Sequence, residues 1–116
     1  MKGGKFEVEF LEDAVDFLDR LDEKARDKII YNITKAKFSN DKALFKKLNE
    51  DIWEFRTLFQ KTYYRLFAFW DTEATDQTLV IATHGLIKKT AKTPSGDLEK
   101  AARLRTQYFN EKMKKQ

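Results

Sequence analysis

Residues 51 to 93 carry three successive runs of β-branched and aromatic residues, each of strand length and each bounded by a short polar gap. The first is Ile52-Trp53-Glu54-Phe55-Arg56-Thr57-Leu58-Phe59 and the second Thr62-Tyr63-Tyr64-Arg65-Leu66-Phe67-Ala68-Phe69-Trp70. The third, Leu79-Val80-Ile81-Ala82-Thr83-His84-Gly85, runs on into Lys88-Lys89-Thr90. Gaps this short predict an antiparallel meander.

A loop centred on Gln60-Lys61 sets Leu58 opposite Tyr63, Arg56 opposite Arg65 and Glu54 near Phe67, all on one face. Side chains alternate with period two, so Trp53, Phe55 and Phe59 point the other way and need a covering layer. Two arginines then face each other across adjacent strands. Such a pair is destabilising unless something anionic lies between them, and a slip of one residue would part them.

The remaining chain supplies the cover. Lys5-Phe6-Glu7-Val8-Glu9-Phe10 alternates apolar and charged residues, as a half-exposed edge strand does. From Leu11 the period changes: Leu11, Ala14, Val15, Leu18 and Leu21 share one helical stripe, with Glu12 and Asp13 at its positive end. Asp22 caps a second helix whose apolar positions Ala25, Ile29, Ile33 and Ala36 run to about Phe38. This helical hairpin is expected to cover the Trp53/Phe55 side. Residues 42 to 50 are ambiguous; Leu44, Phe45 and Leu48 fit one more helical turn, with Lys46 and Lys47 outward as solubilising charges. Thr93 as N-cap and Pro94 at the first helical position predict a last helix to about Met113, with Leu98, Ala101, Ala102, Arg105, Tyr108 and Phe109 on one stripe.

A chain of 116 residues with these parts is expected to be one α+β domain, residues 1 to 116, built on an antiparallel sheet. No apolar run approaches the length of a membrane span and no signal-type segment is present, so a cytoplasmic protein is expected. With no cysteine and one histidine, neither thiol chemistry nor a His/Cys metal site is expected, and no cofactor motif appears. Charge is uneven: Lys and Arg number 14 against 16 Asp and Glu up to residue 87, and 9 against 3 beyond it. That favours a polyanionic partner over a membrane.

Glu54, Arg56, Arg65, His84, Lys88 and Lys89 form the candidate catalytic set. Cations with few carboxylates suit the polarisation of a phosphodiester. Cleaving RNA without a metal needs its 2′-hydroxyl as nucleophile, a base, cations to stabilise the phosphorane and an acid for the leaving oxygen. Arg56 and Arg65 match phosphate oxygens in pairs. Glu54 is either the base or a structural partner of an arginine, and a lysine of lowered pKa is the other candidate base. His84 is either a catalytic group or a core histidine. Tyr63, on the arginine face, can stack on a base; Lys92 and Arg105 are further RNA-contact candidates, although Arg105 can instead cover apolar surface with its stem.

Trp53-Glu54-Phe55-Arg56, Tyr64-Arg65 and its apolar strand, His84-Gly85-Leu86-Ile87-Lys88-Lys89-Thr90, then Lys92-Thr93-Pro94 before the last helix, resemble the HigB-like, phage Gp49-type branch of the RelE/ParE toxin superfamily. The resemblance implies an antiparallel sheet with helices on one face and a concave basic face on the other. It implies a type II toxin that cuts messenger RNA on the ribosome, is neutralised by a HigA-like helix-turn-helix antitoxin and meets operator DNA only through that antitoxin. It places Arg56, Arg65, Lys88 and Lys89 at basic active-face positions and Glu54 at the acidic one. A ParE-like gyrase inhibitor, and a catalytically inactive subunit that binds antitoxin or operator, are the alternatives.

Overall fold

The computed structural model describes residues 5–73, 78–88 and 94–114. Its register is set by the tight turn at Gln60-Lys61, where both residues have positive φ, 51° and 64°. Two central residues with positive φ make the turn whose twist matches that of antiparallel strands. It joins β3 (Trp53–Phe59) to β4 (Thr62–Asp71), and Arg56 stands opposite Arg65, Leu58 opposite Tyr63 and Glu54 opposite Phe67. The expected register therefore holds, and β5 (Leu79–Lys88) completes the antiparallel meander.

Two further strands flank it, with β1 (Glu7–Phe10) and β2 (Phe45–Lys47) at the outer edges in the order β1-β5-β4-β3-β2. β1 runs parallel to β5, so the sheet is mixed rather than antiparallel throughout. The intervening helices and meander provide the long crossover that a parallel pair requires. The ambiguous stretch after Asn40 is not a helical turn: Phe45, Lys46 and Lys47 pair antiparallel with Phe55, Glu54 and Trp53. Stacking of Phe45 on Phe55 and Trp53, with centroids 4.3 and 4.8 Å apart, fixes that choice, since a helix would turn Phe45 away from both rings.

Helices α1 (Glu12–Arg20) and α2 (Glu23–Ala36) form the expected hairpin, with Asp22 accepting a capping bond from the Ala25 amide at 2.9 Å. Leu18, Ile29, Ile33 and Ala36 pack with Phe55, Leu66, Ala68, Val80 and Ala82 to form one core layer. Gly85 is required there, because a Cβ at that position would overlap the Phe17 ring of α1.

Helix α3 (Ser95–Lys114) covers part of the opposite face, where Ala101, Leu98, Tyr108 and Phe109 meet Phe67, Phe69 and Ile81. Helices thus lie on both sides of the sheet, which restricts the cationic face to its hairpin end. Thr93, the expected cap of α3, lies outside the described residues. Buried Asp71 ties down the far end of the helix, accepting bonds from Tyr108 Oη and Lys112 Nζ, each at 2.7 Å. Burial alone would raise the Asp71 pKa, but the bonds from Lys112, Tyr108 and the Glu73 amide outweigh it and hold the carboxyl below its ordinary value.

Left-handed backbone at a non-glycine residue costs about 1–2 kcal/mol, and Lys61 adopts it without a compensating side-chain bond among those described. Lys61→Gly is expected to raise the free energy of unfolding by about 1 kcal/mol in denaturant titration.

Candidate active site

Register gathers the charged residues. Arg56 on β3 faces Arg65 on β4, and Tyr63 on β4 faces Lys88 on β5, so both pairs share the Glu54 face of the sheet. The opposed arginines need an anion, and Glu54 supplies it: Oε2 lies 3.5 Å from Arg56 Nε and 3.6 Å from Arg65 Nη1. Glu54 and Arg65 are each 2% exposed, whereas a quarter of the Arg56 side chain remains accessible. The Arg65 guanidinium also lies 5.5 Å from the centre of the Tyr63 ring. Burial presses the Arg65 pKa downward, opposed by the Glu54 charge and helped by Arg56. The guanidinium nevertheless stays charged throughout the biological pH range.

Lys88 adds a third cation to this single carboxylate. It is only 6% exposed, and its Nζ has no hydrogen-bond partner among the described residues. Burial, then the neighbouring Arg65 charge and that of Arg56, lower its pKa, while Glu54 and Asp97 act in the opposite sense. A desolvated, repelled ammonium gives up its proton more readily than a free one. A shallow pocket of about 150 Å³ opens over Arg56, Thr57, Leu58, Tyr63, Arg65 and Ala43. Its floor is cationic and one wall is aromatic.

His84 takes a different position. Opposite Phe67 the β4–β5 pairing is interrupted by a bulge that sets Thr83 and His84 against one residue. The imidazole stacks on Phe67 with centroids 4.8 Å apart, is 3% exposed, and has both nitrogens engaged: Nδ1 with Thr83 Oγ1 at 3.0 Å and Nε2 with Asp97 Oδ1 at 3.1 Å. An imidazole held this way fastens the start of α3 to the sheet, which favours the core reading over a catalytic one. Nε2–H of the neutral ring donates to Asp97, while the one proton of the Thr83 hydroxyl has two acceptors in reach, His84 Nδ1 at 3.0 Å and the Phe67 carbonyl oxygen at 3.3 Å.

Arg105 is drawn away from the cluster. It reaches Asp51 at 3.7 Å and lies 5.2 Å from the Phe109 ring centre, and so covers apolar surface. Lys89 and Lys92 lie outside the described residues. Lys46, expected from the sequence to be a solubilising charge, is placed by β2 directly opposite Glu54 on the cationic face. The signal was the alternation Phe45-Lys46-Lys47 beside Phe55-Glu54-Trp53, legible only once the segment is read as a strand. Among the described residues, no group of His, Cys, Asp and Glu is arranged to hold a metal ion, and no helix is long and apolar enough to cross a membrane.

A mixed five-stranded sheet between a helical hairpin and a terminal helix is consistent with the RelE-like α+β fold. The family "Phage derived protein Gp49-like (DUF891)" matches residues 16–106, well over half of the chain. The protein therefore belongs to the Gp49-like family, a RelE-like family associated with toxin–antitoxin systems, and such a family implies an antitoxin partner. A comparison with curated proteins found no match.

Burial lowers the His84 pKa, with the Asp97 hydrogen bond acting against it. As pH falls below the ordinary value of 6.5, the unfolded chain takes up this proton before the folded one, so stability declines. The difference in unfolding free energy between the native chain and His84→Gln is expected to shrink from pH 7 to pH 5 in paired denaturant titrations.

Proposed function

We propose that this protein is the toxin of a type II toxin–antitoxin pair and cleaves messenger RNA on the ribosome without a metal, with a HigA-like antitoxin as its neutralising partner. Membership of the Gp49-like family supports the toxin reading. The observation that carries the chemistry is the gathering of Arg56, Arg65 and Lys88 around one carboxylate, with a pocket open over both arginines.

The 2′-hydroxyl of the nucleotide 5′ to the cut loses its proton to a base, and its oxygen attacks the adjacent phosphorus. The bond to the 5′-oxygen breaks, that oxygen gains a proton, and the products are a 2′,3′-cyclic phosphate and a 5′-hydroxyl. Arg56 and Arg65 stabilise the charge that accumulates on the non-bridging oxygens, a contribution that is largest where water is excluded. Glu54 is poorly suited to act as the base, because its carboxylate is already held by two guanidiniums. Lys88 suits it better: the amine is buried, has no hydrogen-bond partner among the described residues, and burial and the neighbouring Arg65 charge lower its pKa. Tyr63 borders the pocket and offers its ring to a base.

Lys88→Met removes this amine and leaves a side chain of similar length. The variant is expected to be at least as stable as the native chain in thermal unfolding, because an unpaired buried ammonium is costly. It should abolish both growth inhibition and the new transcript 5′-ends that appear after brief induction. Arg56→Gln should reduce cleavage by about 100-fold or more while leaving the fold intact, the scale expected on losing one oxyanion donor. Uncut transcripts with the native protein, together with a fall in the activity of purified gyrase, would overturn the nuclease reading in favour of a ParE-like one.

A further inference from the structure

The cations of this face form a band across four neighbouring strands, Lys46 on β2, Arg56 on β3, Arg65 on β4 and Lys88 on β5. Exposure falls along it: Lys46 is exposed, Arg56 is part-buried, and Arg65 and Lys88 are buried. β2 is the last strand on its side, so the band is most open to solvent at that edge.

We propose that Lys46 binds a backbone phosphate of the RNA strand next to the one being cleaved, so that the strand reaches the buried cations from the β2 edge. This rests on the nuclease reading and adds a substrate subsite to it. Lys46 stands opposite Glu54, and Arg56 is the next residue of β3 on that face. Diagonal neighbours on adjacent strands lie about 7–8 Å apart, which a lysine side chain and one nucleotide step span together. Glu54 is committed to the two arginines. Lys46 is exposed on the outermost of these strands, which makes its ammonium the outermost positive group of the band. A phosphate is the ligand that fits: a solvated point charge holds an anionic backbone without reading its bases.

The neighbouring residue is an internal control. Lys47 carries the same charge, is likewise exposed and belongs to the same strand, but it pairs with Trp53 and points to the opposite side, where Trp53 packs against Phe45 and Trp70. General electrostatic attraction would depend equally on both lysines, whereas a phosphate subsite depends on Lys46 alone.

The test measures binding of a fluorescent single-stranded uridine oligoribonucleotide to the full chain over a series of salt concentrations, for the native protein, Lys46→Ala and Lys47→Ala. Lys46→Ala should weaken binding several-fold and flatten the slope of log K against log salt by about 0.7, the value for one phosphate on a single strand. Lys47→Ala should change neither. Equal effects of the two substitutions, no effect of Lys46→Ala, or no binding by the native chain would each overturn the subsite. Transcript cleavage in cells by the native protein separates this failure from that of the nuclease reading: transcripts cut as before, with Lys46 inert, would reject the subsite alone.

Discussion

One buried carboxylate between two guanidiniums on neighbouring strands governs this structure. The tight turn at Gln60-Lys61 places Arg56 and Arg65 directly opposite, and Glu54, which reaches both, relieves their repulsion. The three groups lie at the hairpin end of the sheet, beyond the apolar surface covered by α3. Taking ions out of water costs several kcal/mol each, so the cluster is weak as a source of stability. Lys88 adds a third cation beside the same carboxylate.

Around this cluster the fold separates holding from acting. Helix α3 is fastened at its start by the His84 contact with Asp97 and near its end by Tyr108 and Lys112 on Asp71. On the opposite side, α1 closes on Gly85 through Phe17, which keeps β5 in place as it carries Lys88 toward the cations. The pocket over Arg56 and Tyr63 and the β2 edge beside it stay open. Exposure falls from Lys46 at the sheet edge to Lys88 inside it, the order in which the proposed RNA strand would meet these cations.

Much of this was legible in the sequence wherever a period was long and unambiguous. The three runs after Asp51 fixed the strands, the turn between Phe59 and Thr62 fixed the register, and the stripes from Leu11 and Ala25 identified the hairpin that covers Phe55. Phe45-Lys46-Lys47 was too short to show its period, and its strand character comes from rings on the next strand. The parallel pairing of β1 was hidden because alternation marks a strand without fixing its direction. The roles of Glu54 and His84 stayed open for another reason: which partner a buried polar group finds is settled by distant residues, Arg65 for one and Asp97 for the other. The opposed arginines could be read beforehand, but the depth at which Arg65 is buried could not.

The most direct test of the central claim is a double-mutant cycle on unfolding free energy with Glu54→Leu and Arg65→Met. The account predicts that each single substitution costs about 3–5 kcal/mol, by stranding a buried charge, and that the double substitution costs much less than their sum. Two small, additive losses would contradict it, for the carboxylate would then not be what holds the arginines together.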